Sequence, residues 1–413
     1  MADHDRLERG LREHLDQALP LAPGAADRVV AAVRARTAGR RRRSPLPVLA
    51  GLATGAVLAG VLGAALWSRA TAPPPAVPAP GVSALLGGPA DPSAGGGLIV
   101  DDVAFGTALR GWVVGTRCDA AGACVLAVRG TADGGRTWSP AATVHADAPA
   151  AGGGARIAFT GDRTGFVADH GLWASTDGGA SWHPTGLADV IGVAPVGASV
   201  WALESCATAA PCPVRLQTSA DGGRTWSAAT AVAGLAGPRA TMVRVSATDA
   251  FVAAAAATPS GSRLAATHDG GRSWESLPDP CAPGLLAAPA AIAALEPTEL
   301  WAACEAPAPA ADRAVYRSRD GGRHWELRGD TTTPGGGALG SRGHLSALAL
   351  APRGAALLAL DGGPLLRSPD GAAWTAVLDG GALRLDMVDP EHGWLVTGAG
   401  TVLRTADGGR TWR

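Results

Sequence analysis

Thr131-Ala-Asp133-Gly-Gly135-Arg-Thr137-Trp138 is the first of seven copies of one short pattern. It returns as Ser175-Thr-Asp177-Gly-Gly179-Ala-Ser181-Trp182, Ser219-Ala-Asp221-Gly-Gly223-Arg-Thr225-Trp226 and Thr267-His-Asp269-Gly-Gly271-Arg-Ser273-Trp274. Ser318-Arg-Asp320-Gly-Gly322-Arg-His324-Trp325 and Thr405-Ala-Asp407-Gly-Gly409-Arg-Thr411-Trp412 follow, with a shortened copy, Ser368-Pro-Asp370-Gly371-Ala-Ala-Trp374, between them. The steps from Asp to Asp are 44, 44, 48, 51, 50 and 37 residues. A period of this size denotes a repeat architecture, because one unit cannot bury its own apolar face. Each copy has the chemistry of a hairpin turn. The Asp carboxylate accepts from backbone N–H groups two or three residues on. The Ser or Thr ahead of it adds a second local bond, and the glycines admit positive φ. The Trp is a large apolar plate with one N–H donor, expected to lie on the neighbouring unit.

Outward from each turn the sequence reads as strands. Val125–Arg129, Val214–Leu216, Leu264–Ala266, Ala314–Tyr316, Leu365–Leu366 and Val402–Leu403 run into their turns. Ahead of these stand Gly111–Gly115, Gly165–Ala168, Val200–Leu203, Ala250–Ala253, Leu300–Ala303 and Gly393–Gly398, most with a Trp or Phe. Ahead again are Leu98–Phe105, Ala155–Phe159, Met242–Val245, Leu345–Leu350 and Leu383–Met387. With the segment opening at each Trp, this makes four short strands per repeat, the composition of a propeller blade. Seven copies imply seven blades over residues 98–413. The last turn ends at Trp412-Arg413, so most of one outer strand is missing there. An open edge is a liability, and Val82–Leu86 is the expected donor of the closing strand.

The pattern S/T-x-D-x-G-x-T/S-W is that of the Asp-box, or BNR repeat, and the chain resembles the β-propellers built from it. That resemblance implies that Asp133, Asp177, Asp221, Asp269, Asp320, Asp370 and Asp407 are structural. It places them at the blade periphery, on the face opposite the usual binding site. Sialidases share box and propeller, but their activity needs an arginine triad, an Arg-Ile-Pro motif and a Tyr nucleophile. Tyr316 is the only Tyr, placed as a strand residue two positions before a turn, and no Arg-Ile-Pro occurs. Over about residues 98–413 the chain is most similar to single propellers of the photosystem II assembly/stability factor type. The best stretch is Gly393-Trp394-Leu-Val-Thr-Gly398 followed by Leu403-Arg404-Thr405-Ala-Asp407-Gly-Gly409-Arg-Thr411-Trp412. That resemblance implies a non-enzymatic binding or assembly protein.

The N-terminal part has a different organisation. Residues 46–67 carry no charge and follow Arg40–Arg43. At roughly 1.5 Å per residue they reach about 33 Å, enough to span a bilayer core. The reading is a basic tail at 1–43, a transmembrane helix within 44–69 and a Pro/Gly-rich stalk at 70–97 that leads into the propeller. The positive-inside rule puts the tail in the cytoplasm and the propeller outside it. A cleaved signal peptide is the weaker alternative, because 43 residues precede the apolar run. Leu7, Leu11 and Leu15 make a stripe at helical spacing in the tail, read first as a marginal or membrane-surface helix. The chain contains no Lys, and with its 58 Gly and Ala excess it looks like the product of a GC-rich bacterial genome. Beyond Arg69 there are 24 Arg against 30 acidic residues, which disfavours nucleic acid as a partner.

All six Cys lie in the propeller. Cys118/Cys124 and Cys206/Cys212 each bracket a connection between second and third strands, which suggests local disulfides in an oxidising compartment. Cys281 and Cys304 flank a first strand and pair by elimination. A metal site is the less favoured alternative, and no cofactor is implied. Gly-x-Ser-x-Gly, His-Glu-x-x-His and phosphate-loop motifs are absent from the sequence. Loops between second and third strands are expected to form the binding face. They offer Arg117, Asp169, His170, Glu204, Arg263, Glu305, Asp312 and Asp361 as contacts for an envelope protein or a cell-surface glycan. The rival function is a cell-surface glycosidase working through two of those carboxylates.

Overall fold

The computed structural model describes residues 97–413, apart from 147, 149–153, 206–211, 257–262, 282–287, 307–311, 333, 335–336 and 353. The basic tail, the apolar span 46–67, the stalk and the closing strand at Val82–Leu86 lie outside the described residues. Two compact units divide the chain at Gly81/Val82. Everything below concerns the second. Among the described residues no helix is long and apolar enough to cross a membrane.

The repeats fold as antiparallel blades. Blade 1 is β1 (Leu98–Phe105), β2 (Gly111–Cys118), β3 (Cys124–Thr131) and β4 (Ala142–Ala146); blade 2 is β5 (Arg156–Thr160), β6 (Thr164–Ala168), β7 (Gly171–Ser175) and β8 (His183–Ala188). Blade 3 begins with β9 (Val190–Val196), β10 (Ser199–Glu204) and β11 (Pro213–Ser219). Its outer strand does not stop: β12 (Thr230–Arg244) continues through an irregularity between Ala236 and Ala240 to become the inner strand of blade 4. Blade 4 is completed by β13 (Ala250–Ala256), β14 (Leu264–Thr267) and β15 (Glu275–Ser276). Blade 5 is β16 (Ala288–Glu296), β17 (Glu299–Glu305), β18 (Arg313–Ser318) and β19 (Glu326–Asp330); blade 6 is β20 (His344–Leu350), β21 (Ala356–Asp361), β22 (Leu365–Ser368) and β23 (Thr375–Leu378). Blade 7 has β24 (Ala382–Met387), β25 (His392–Thr397) and β26 (Val402–Ala406). Its fourth strand is begun by Arg413, which exchanges both backbone hydrogen bonds with Arg404, at 2.9 and 3.1 Å.

Sequence alone marks no first strand for blade 3, no second strand for blade 6 and no third strand for blade 2, and it sets the first strand of blade 5 between Cys281 and Cys304 without bounds. The structure supplies them as β9, β21, β7 and β16. Ala288-Pro-Ala-Ala-Ile-Ala-Ala-Leu-Glu296 is mostly Ala, which propensity does not mark as strand, whereas Val190-Ile-Gly-Val-Ala-Pro-Val196 has four β-branched residues whose signal its Gly and Pro interrupt. Blade contacts override that weak prior.

Closure is visible in the core. The seven inner strands touch in sequence, β1 to β5, β9, β12, β16, β20 and β24, and β24 returns to β1. Seven apolar clusters lie one at each interface between consecutive blades, including one between blade 7 and blade 1. The key contact is the second-strand aromatic. Trp112 and Trp394 stack on Phe159 and Phe105 of the next blade at 3.6 and 3.5 Å. Their indoles donate to the box carbonyls of Gly178 and Gly134 at 2.9 and 3.3 Å. The last glycine of the box is needed twice over. Gly371 has φ 81°, and a Cβ there would lie 2.3 Å from Trp301. In blade 6 Leu357 takes the aromatic's place, 2.8 Å from a Cβ at Gly409.

Each box Trp lies on the neighbouring unit as expected, in or against the apolar cluster shared with the preceding blade, while its N–H is mostly turned inward. Trp182, Trp226, Trp374 and Trp412 donate back to the last glycine of their own box at 2.9–3.2 Å. The plate still reaches the interface cluster with the preceding blade, as Trp182 does beside Trp112. Trp325 instead donates across the interface to Pro278 O of blade 4 at 3.0 Å.

Candidate functional site

Antiparallel alternation sorts the connections into two faces. First-to-second turns and boxes lie on one face. Second-to-third loops and blade crossings lie on the other. In the boxes the hydroxyl–carboxylate–amide network is the same in blade after blade. Thr131 donates to Asp133 at 2.8 Å and accepts from Gly135 N–H at 2.9 Å. Asp133 accepts from Thr137 N–H at 2.9 Å and from Thr137 Oγ1 at 2.6 Å. The amides captured are three and four residues on, as with Arg224 and Thr225 at Asp221, one further than a short Asx turn. Burial works against ionisation of Asp133 and Asp407. The Thr hydroxyl and amide bonds outweigh it and hold both carboxyls at about 2. Hydroxyl donation from Ser181 and Thr225 keeps Asp177 and Asp221 well below the usual range. At Asp320 the His324 ring and amide replace the hydroxyl, with Nδ1 2.5 Å from Oδ2. All this is turn chemistry: in the six full boxes both carboxylate oxygens are committed, and the shortened box of Asp370 captures the amides of Ala372 and Ala373, two and three residues on, with one oxygen.

All eight binding-face candidates stand at second-to-third connections. Arg117, His170, Asp312 and Asp361 are exposed. The others are held by partners that sequence reasoning missed. Asp169 is buried, with His145 Nε2 of β4 3.1 Å from one oxygen and His170 3.9 Å from the other. His145 also stacks on Trp173 at 4.4 Å. His170 and Asp189 both adopt φ 57°, left-handed backbone that non-glycine residues seldom occupy. The Asp189 N–H donates to His170 O at 2.6 Å. Glu204 accepts from Gln217, and Arg263 pairs with Asp279. Glu305 receives Arg313, a fully buried guanidinium that also donates to the carbonyls of Leu339, Ser341 and Gly343. The candidates come from six blades, and the structure brings together only Asp169 with His170 and the Glu305–Asp312 neighbourhood. Arg313 stood next to Asp312 in the sequence, but only its burial reveals its role.

Cys118–Cys124 and Cys281–Cys304 are disulfides, the first directly across the β2–β3 hairpin and the second with Cα atoms 5.9 Å apart. Cys212 is disulfide-bonded; its expected partner Cys206 lies outside the described residues. Groups of His, Cys and acidic side chains suited to a metal do not occur among the described residues.

A second polar cluster lies away from the expected binding loops. Asp102 and Asp386 interrupt the apolar pattern of the inner strands β1 and β24. Asp386 accepts from Phe105 N–H at 2.7 Å across the closing seam, and Asp102 accepts from Ile157 N–H at 3.1 Å across the next. Arg384 Nε stands 3.8 Å from Asp102. Burial pushes the Asp386 carboxyl up to about 7; the Phe105 amide opposes this and the Asp102 charge adds to it. Burial likewise raises Asp102, against the guanidinium charges of Arg156 and Arg384.

Among the described residues, clefts open at blade interfaces on the box face. About 690 Å³ lies between blades 1 and 2, about 530 Å³ between blades 3 and 4, and about 410 Å³ between blades 5 and 6. At each, a guanidinium lies over the second-strand Trp, an attraction to the negative face of the ring. Arg110 stands over Trp112 at 5.1 Å, Arg244 over Trp201 at 4.2 Å and Arg317 over Trp301 at 5.4 Å.

No family model matches the chain. A photosystem II stability/assembly factor, HCF136 of Cyanidioschyzon merolae, is 47% identical over 74 residues, and the match spans 16% of each protein. Among solved structures, YCF48 of Cyanidioschyzon merolae superimposes with a TM-score of 0.53 at 16% identity, covering 77% of this chain and 98% of that one. YCF48 bound to D1 peptide gives 0.50 at 18%, covering 76% and 94%. A GH74 xyloglucanase from Xanthomonas campestris gives 0.50 at 18%, covering 76% and 60%. The chain is thus a seven-bladed propeller similar to photosystem II assembly factors, and at these identities the solved structures speak to fold alone.

Proposed function

We propose that this chain is a protein-binding or assembly module, displayed outside the cytoplasm on a membrane anchor formed by residues 46–67. The observation that carries the reading is the construction of the face opposite the boxes. Its loops are fixed by Cys118–Cys124, by Arg313 on Glu305 and by Arg263 on Asp279. Arg117, His170, Asp312 and Asp361 remain exposed around them. Fixing loops before contact lowers the entropy lost on binding. The carboxylates Asp169, Glu204 and Glu305, which a glycosidase would have used, are engaged by His145, Gln217 and Arg313. The likeness to YCF48 bound to D1 peptide supports a peptide or protein ligand on such a ring. The anchor rests on the uncharged stretch and the arginines before it, read by the positive-inside rule.

Proximity labelling from the full-length chain in its native host tests the reading. Reproducible partners that disappear with Arg117→Glu and Asp361→Arg, while labelling from a box-face variant such as Arg224→Glu is unchanged, are the expected result. Turnover of a glycoside that is lost with one carboxylate would replace the binding reading with an enzymatic one.

A further inference from the structure

We propose that the box face carries two carbohydrate subsites, in the clefts between blades 1 and 2 and between blades 3 and 4, each fitted to a short neutral oligosaccharide. They lie on the face opposite the protein-binding surface, and the inference does not rest on that reading.

The two clefts are built alike. One wall of each is the partly buried box Trp of the odd blade, Trp138 or Trp226, packed on one side against the preceding interface; the other is the box of the following blade. The Trp226 ring is held in place by its donation to Gly223 O at 3.1 Å. Around the first ring stand Thr131, Thr137 and Ser139; around the second stand Ser199, Thr225, Ser227 and Thr248. A pyranose has an apolar C–H face and a rim of hydroxyls. A fixed aromatic plate beside side-chain hydroxyls complements both.

Charge argues for a neutral ligand. Both oxygens of Asp177 are committed to Ser175, Ala180 and Ser181, and both of Asp269 to Thr267, Arg272 and Ser273. Each cleft also carries one guanidinium, Arg110 beside Asp177 and Arg272 beside Asp269, so the charges of the lining balance. A peptide would want an apolar anchor pocket or a free strand edge. Apart from the aromatic rings, the apolar lining of these clefts is Ala and Pro. The cleft between blades 5 and 6 departs from the plan. Trp325 does not line it, and Leu295, Leu350, Pro369 and Arg328 do. Two subsites follow, not three.

Ala132 and Ala220 occupy the same box position, are exposed, and stand at the lips of the two clefts. Ala132→Trp and Ala220→Trp therefore obstruct the clefts without touching a buried contact. Calorimetric titration of the full chain with cellotriose, xylotriose, mannotriose and maltotriose is the experiment. At least one trisaccharide binds with a stoichiometry of two. Each single variant leaves a stoichiometry of one, and the double variant weakens binding more than tenfold with an unchanged melting temperature. Absence of binding by all four at millimolar concentration overturns the proposal. So does binding that survives the double variant, and so does binding that is instead lost with Arg117→Glu on the other face.

Discussion

Asp386→Asn should make the ring more stable in mild alkali and leave it nearly unchanged in acid. In the folded chain the carboxyl sits on β24 against β1, and burial, moderated by the Phe105 amide and reinforced by Asp102, lifts it from 3.8 to about 7. A carboxyl whose folded value is raised is favoured by its proton. Its contribution is fully present below about 4, declines as pH rises toward about 7, and is gone above that. That rise corresponds to at most about 4 kcal/mol. The side chain is only half-buried. Water on that side screens its charge, so about 1–2 kcal/mol is the reasonable magnitude. Asn keeps a carbonyl oxygen for the Phe105 N–H and carries no charge to repel Asp102. Thermal unfolding followed by circular dichroism from about pH 4 to about pH 9 is the assay. The variant should melt about 2–4 °C above the parent at about pH 8.5 and converge on it at about pH 4. The box carboxylates cannot imitate this pattern, since Asp133 and Asp407 stand at about 2 and their contribution is lost only as pH falls below the usual carboxylate range. Parallel melting curves across the range, or a variant less stable in alkali, would refute the reasoning. The second outcome would mean that the ionised carboxylate is the acceptor Phe105 requires.

Other perturbations separate the features of the ring. Gly371 combines φ 81° with a Cβ position 2.3 Å from Trp301, whereas Gly122, at φ 83°, faces open space. Gly371→Ala should therefore cost about 3 kcal/mol or more and Gly122→Ala only about 1 kcal/mol, as chemical denaturation will compare. Arg313→Met strands Glu305 and three carbonyls. It should cost about 3–5 kcal/mol, and adding Glu305→Gln should recover part of that loss in a double-mutant cycle. Asp221 gathers four bonds in its box, while the shortened box of Asp370 lacks the Thr or Ser hydroxyl at its end. Asp221→Ala should accordingly destabilise by about 1–2 kcal/mol more than Asp370→Ala in urea unfolding. Alkylation and mass mapping of native protein should find Cys118–Cys124 and Cys281–Cys304 as closed peptides. Free thiols there would contradict both the pairing and an oxidising compartment.

The fold was legible because its period is carried by residues with no cheap substitute. A box glycine at positive φ beneath a neighbouring aromatic tolerates no side chain, and the Asp that gathers three- and four-residue amides tolerates few replacements. Strand after strand could then be counted between fixed marks. The strands left unmarked or without bounds, β9, β16, β21 and β7, lack such marks, and their conformation is imposed by the sheets they join. The site was less legible for the same reason. Asp169, Glu204 and Glu305 were recognisable as loop carboxylates, but a sequence does not show that His145 of one blade, Gln217 of the next strand and a buried Arg313 occupy them. Asp102 and Asp386 were visible as charges within apolar strands, and read alone each is a solvated face. Only ring closure, which sets β24 beside β1, turns them into neighbours.

That closure also explains how two faces of one ring can take unlike chemistry. The box face is determined by the repeat: five of the seven boxes set a turn, a Trp and a hydroxyl pair alike, and those of blades 1 and 3 border clefts of one plan. The opposite face is determined by what the repeat leaves free. Its loops differ in length and charge from blade to blade, and each is fixed by its own device: a disulfide in blade 1, a His–Asp contact at blade 2, an ion pair in blade 4 and a buried guanidinium in blade 5. Repetition suits a ligand that is itself a repeat, such as a glycan chain. Singular loops suit a singular surface, such as one protein partner. Substitutions on the two faces should therefore act independently, and a charge reversal at Arg117 should leave trisaccharide binding at the box-face clefts untouched.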